Sequence, residues 1–144
     1  MSIEAGGEAE RLSAVPRNAA AARGIVSDLL AARFGAVVAQ WPAHVVDDVL
    51  LVTSELVTNA FRHGGRLTAF ETEVTDEGLR ITVGDASTES PAESADVGPK
   101  VRAGAARIGG YGWPLVRLLA SRVSISFHAG GKRITVLMAL PSYP

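Results

Sequence analysis

Apolar residues along this chain recur at helical spacing in some stretches and alternate with polar residues in others. In NAAAARGIVSDLLAARF, Ile25, Leu29 and Leu30 recur at helical spacing and the alanines favour the same state, which predicts a helix over about residues 17–34, led in by Pro16. Trp41-Pro42 breaks the pattern. A second helix is predicted over about 43–62, with an apolar stripe of Val45, Val46, Val49, Leu50, Thr53, Leu56, Val57 and Ala60, and His63-Gly64-Gly65 ends it. LTAFETEVT and LRITVGDA then alternate around DEG, an acid-glycine turn typical of a hairpin. PLVRLLASR is predicted as a third helix opened by Pro114, and VSISFHA and RITVLMAL as a second hairpin around GGK. Between the hairpins, from Ser87 to Gly112, about 26 residues rich in Ser, Ala, Gly and Pro show no period, as expected of a functional or mobile loop.

With RLSAV as a short leading strand, the order is strand, helix, helix, two strands, long loop, helix, two strands. This predicts an α+β fold: a two-layer α/β sandwich with helices on one face of a mixed, mostly antiparallel sheet. Residues 1–10, small and acidic, are expected to form a disordered tail, and 11–144 a single domain.

Composition narrows the function. The 144 residues are 47% hydrophobic, enough for one substantial core and too few for two ordinary domains. Fourteen basic and fifteen acidic residues give a net charge of -1 with no basic run, so nucleic acid is not the expected partner. The absence of cysteine excludes disulfides and thiolate metal sites and fits a cytoplasmic location. MSIEAGGEAERLS lacks the features of a secretion signal, and no apolar segment reaches the roughly 20 residues that span a bilayer, so no membrane association is expected.

The chemistry concentrates in three segments. In ELVTNAFRHGG, Glu55 and Asn59 lie one helical turn apart, with Asp48, Leu51 and Arg62 pointing nearly the same way, on a face opposite the apolar stripe. An ordinary solvated face also carries such acid–amide pairs. A carboxylate can nonetheless accept a hydroxyl proton, and an amide oxygen four residues on can complete a magnesium shell otherwise made by phosphates. In VGDAS, Asp85 ends a strand before the small residues Ala86 and Ser87; it is either a turn aspartate or an acceptor for an exocyclic amine. IGGYGWPLV runs glycines straight into a helix start, where free N–H groups suit phosphate, although the lysine and hydroxyl of the common phosphate loop are missing.

Taken in this order, the three segments resemble the N, G1 and G2 boxes of the Bergerat, histidine-kinase-like ATPase fold, and the chain is most similar to the small bacterial anti-sigma-factor serine/threonine kinases over about residues 11–140. The resemblance implies ATP and Mg2+ as cofactors. It implies Glu55 as general base, Asn59 as magnesium ligand, Asp85 as the reader of the adenine amine with Ser87 beside the base, and Gly110 and Gly112 as glycines of an ATP lid over about 88–112. Arg62 and His63 fall near the expected phosphates, where a helix-end cation facing the dipole is an equal reading. Lys100, Arg102 and Arg107 fall in the lid and are otherwise solvated loop cations. As partners the resemblance implies a sigma factor, an anti-anti-sigma antagonist and a possible homodimer through the N-terminal strand and helix.

Three positions depart from the family. Tyr111 and Trp113 stand for the lid's usual Arg and Leu, and Arg133 stands where a threonine is expected, with Thr135 two residues on and on the same strand face. These departures support an alternative, a non-catalytic ATP-binding regulatory module on the same scaffold. A detached histidine-kinase catalytic domain is the third reading, disfavoured by the lack of a dimerisation helix bearing a phosphoacceptor histidine.

Overall fold

The computed structural model describes residues 15–89 and 112–141. The expected tail, all but the last residue of RLSAV and most of the expected lid, with Lys100, Arg102, Arg107, Gly110 and Tyr111, lie outside the described residues.

Helix α1, Ala19–Phe34, begins where the extended Asn18 accepts the Ala21 N–H on its side-chain oxygen at 2.8 Å. That cap sets the start two residues later than predicted. The helix stops at Gly35, whose φ of 59° costs glycine little. A 3₁₀ segment absent from the predicted elements, Gly35–Gln40, leads to Trp41, which packs edge-on against Phe34 with ring centroids 4.9 Å apart. Trp41 is extended, as a residue before proline prefers. Pro42 then opens helix α2, Ala43–His63, and the Gly64 N–H bonds back to the Ala60 carbonyl at its end.

Strands β1, Leu67–Thr75, and β2, Gly78–Asp85, form the first hairpin, with Thr75 paired to Gly78 across the turn. Helix α3, Gly112–Leu119, starts two residues before Pro114 and places that proline in its first turn. Strands β3, Arg122–His128, and β4, Gly131–Met138, make the second hairpin. The hairpins join along β2 and β4 in the order β1-β2-β4-β3, antiparallel at every described pairing. The fold is α+β, with the helices on one face of the sheet.

Alternation assigns the two faces. Leu79, Ile81 and Val83 of β2 and Ile134, Val136 and Met138 of β4 are buried toward the helices, where they meet Val26, Leu30, Val49, Val52, Leu56, Val57 and Val116. Val52, fully buried, belongs to the α2 stripe although it was not among the residues predicted for it. The opposite face carries Glu71, Glu73, Arg80, Thr82, Arg133 and Thr135, with ion pairs Arg80–Glu73 at 2.7 Å and Arg133–Glu71 at 3.4 Å running between strands. Among the described residues no helix is long and apolar enough to cross a membrane.

Candidate functional site

The C-terminal half of α2 carries Glu55, Asn59, Arg62 and His63. Its polar face is not simply solvated: Glu55 and Asn59 are half-buried, whereas Leu51, Arg62 and His63 on or beyond that face are exposed. What covers the middle of the face is the start of α3. A Cβ on Gly112 would collide with Glu55 Oε1 and come within 3.6 Å of the Asn59 side-chain amide. Glycine at 112 thus lets a helix N-terminus, with its free N–H groups and partial positive charge, lie directly against a carboxylate and an amide.

Burial pushes the Glu55 carboxyl above the usual glutamate range, and the Arg62 guanidinium pulls the other way without cancelling it. A carboxylate with raised proton affinity, beside a helix N-terminus, is equipped to take a proton from a hydroxyl. Arg62 and His63 close the last turn of α2, where the Arg62 charge also opposes the helix dipole.

Asp85 lies at the C-terminal end of the same helix, past the turn that holds Arg62 and His63. It ends β2 on the helix-facing side, 4% exposed, pressed against Gly64 so closely that a Cβ there would overlap the Asp85 carboxyl carbon. Gly64 has an ordinary φ of -98°, so space rather than backbone conformation requires glycine there. The Ala86 N–H bonds to the Gly64 carbonyl at 2.9 Å, fastening the strand end to the helix end. The Ser87 N–H donates to Asp85 Oδ1 at 2.9 Å, and Ser87 Oγ accepts from the Glu89 N–H. From Glu55 to Gly64, nine residues at 1.5 Å rise give about 14 Å along α2, comparable with an extended nucleoside triphosphate.

One expectation needs correction. Thr135 does not reach this site: it lies on the open face of the sheet, where its hydroxyl is 3.1 Å from that of Thr82. Period-2 alternation puts it and Arg133 on the face away from Asp85. The residue that does meet Asp85 is Lys132, one position earlier. Its Nζ lies 3.0 Å from both Oδ1 and Oδ2, with both side chains at least nine-tenths buried. Lys132 was not among the residues the motifs singled out, although a lysine in register with Ile134, Val136 and Met138 was a visible signal. Trp113 is buried in the core cluster, so at that position the departure from the family's leucine is a change of apolar filling.

The donor set suits a nucleotide with a lightly held divalent ion. Among the described residues no group of three or more His, Cys, Asp or Glu could hold a metal. An ion here would rest on the Asn59 amide oxygen and on phosphate oxygens, the arrangement magnesium favours.

A family model described as a histidine kinase-like ATPase domain matches residues 12–139. No curated protein matches the chain.

Proposed function

Because the chain belongs to the histidine kinase-like ATPase domain family, which implies ATP binding, we propose that it is a serine/threonine protein kinase of the anti-sigma-factor type. In this reading it phosphorylates an anti-anti-sigma antagonist and holds a sigma factor in a partner switch. The observation that carries the proposal is Glu55: a carboxylate with raised proton affinity, held against Gly112 at the N-terminus of α3 and one turn from Asn59. A regulator that only bound nucleotide would not need a base at that end of the helix.

The residues divide the work along α2. Asp85 accepts the exocyclic amine of the base at the Gly64 end. At the other end Asn59 presents its amide oxygen to a divalent ion, and the first turn of α3 offers N–H groups to phosphate oxygens. Bound magnesium supplies charge neutralisation on the phosphates. Glu55 takes the proton from the substrate hydroxyl as its oxygen bonds to the γ-phosphorus; the bond from that phosphorus to the bridging oxygen breaks, and ADP departs with the electron pair. The new phosphate adds nearly two negative charges to the antagonist, enough to disrupt a docking surface.

The test is transfer of labelled γ-phosphate to a co-encoded antagonist. Glu55→Gln is expected to lower transfer by about 10²–10⁴-fold, the usual worth of a general base, while leaving ATP binding in place. A wild-type protein that binds ATP and magnesium and transfers no phosphate would favour the non-catalytic module instead.

A further inference from the structure

We propose that Leu51 and Asp48 form the acceptor-side docking ridge of the site, selecting a protein segment that carries an apolar and a basic residue within about four positions of the hydroxyl it presents. The inference rests on the reading of Glu55 and of the nucleotide along α2 given above.

In-line transfer fixes the two sides. The attacking and leaving oxygens lie on opposite sides of the γ-phosphorus, and the nucleotide in that reading runs from the Gly64 end of α2 toward Glu55. The substrate hydroxyl therefore arrives from the N-terminal side of Glu55. The same face of α2 continues in that direction: by helix geometry Leu51 and Asp48 lie within about 40° and about 20° of the Glu55 direction, and stand about 6 Å and about 10.5 Å beyond it along the axis.

Both residues are available to a partner. Leu51 is 39% exposed, and among the described residues it is the one exposed large apolar side chain in line with Asp48, Glu55, Asn59 and Arg62. An isolated surface leucine is commonplace, as Leu118 on α3 shows at 76% exposed. Position distinguishes Leu51, because a polypeptide approaching Glu55 from that side has to lie across it, and covering it removes apolar surface from water. Asp48 is half-buried and makes no hydrogen bond or ion pair, whereas Glu71, Glu73 and Glu77 on the sheet each hold an arginine. Its charge is open to a cation on the substrate.

Spacing sets where the substrate's matching residues fall. An extended segment advances about 3.3 Å per residue and alternates its side chains. Leu51 then meets the side chain about two positions from the hydroxyl, on the same side of the segment. Asp48 meets one about three or four positions away, within reach of a lysine or arginine stem.

The experiment is steady-state transfer of labelled γ-phosphate to the co-encoded antagonist by the full chain, with the acceptor residue located by mass spectrometry and ATP affinity titrated for each variant. Leu51→Ser and Asp48→Lys are each expected to raise the antagonist KM about tenfold, with kcat and ATP affinity within about twofold of wild type. Leu118→Ser is expected to leave the KM unchanged. Replacing the antagonist's basic residue near the acceptor with glutamate should recover most of the loss in Asp48→Lys. An unchanged KM in both variants, or an equal rise in Leu118→Ser, overturns the inference while wild-type transfer leaves the kinase reading standing. An acceptor hydroxyl with neither an apolar nor a basic residue in those positions overturns it as well, and that observation needs no variant to fold. Wild-type protein that binds ATP and transfers nothing overturns the kinase reading and the inference together.

Discussion

Glu55 is the residue whose charge the fold disturbs most visibly. A carboxyl with raised proton affinity in the folded state is stabilising while protonated, below the unfolded value of about 4.3, and that contribution is lost as the pH rises through the folded value. Glu55→Gln removes the ionisation. The variant should melt higher than the wild type at pH 7, by no more than about 2–3 °C because the side chain is only half-buried, and the gap should close as the pH falls toward 4. Scanning calorimetry across that range checks it, and a gap that widens in acid would contradict the assignment. Glu55, Asn59 and Asp85 were singled out because each sits at a spacing or strand end that chemistry needs, and the structure sets the first two beside Gly112 and Asp85 beside Gly64. Lys132 escaped because motif reading looked for cations in the loop, where Lys100, Arg102 and Arg107 stand out, and passed over a lysine in an inward strand position. Thr135 was tied to Arg133 by same-face logic, and alternation turns both outward, away from Asp85.

At the scale of elements, two glycines fix how helices meet their neighbours, and they should fail differently when filled. Alanine at 64 would drive a methyl into Asp85, which Lys132 and the Ser87 N–H hold in place, so nothing yields cheaply. Gly64→Ala is expected to cost about 1–3 kcal/mol in denaturant unfolding and to weaken nucleotide binding. Alanine at 112 meets chiefly the tip of the flexible Glu55 side chain. Gly112→Ala should therefore unfold within about 0.5 kcal/mol of the wild type yet transfer phosphate more slowly. Equal loss of stability in both variants would refute this distinction. The ends of α1 and α2 were legible to within two residues, whereas PLVRLLASR overran α3, which ends at Leu119. The 3₁₀ segment was not, because GAVVAQ is too short to display a period and Val37 and Val38 read equally well as part of a loop.

For the whole molecule, local pattern predicted both hairpins but could not say how they join. The pairing of β2 with β4 links residues far apart in sequence, and alternation is the same whichever strands become neighbours. The order β1-β2-β4-β3 was not predicted. Its outcome is that β2 and β4 are the two described strands with partners on both sides, while β1 and β3 are each paired on one side. Opening of the native state proceeds most easily from such rims. Amide protons of Ile81, Val83, Ile134 and Val136 should be the slowest to exchange with heavy water, and those of β1 and β3 should exchange sooner; the reverse ranking would exclude this picture. Asp85 and Lys132 sit on the closing rung of that central seam. The molecule can breathe at its margins, shedding an outer strand for an instant, while the buried Asp85–Lys132 pair stays assembled.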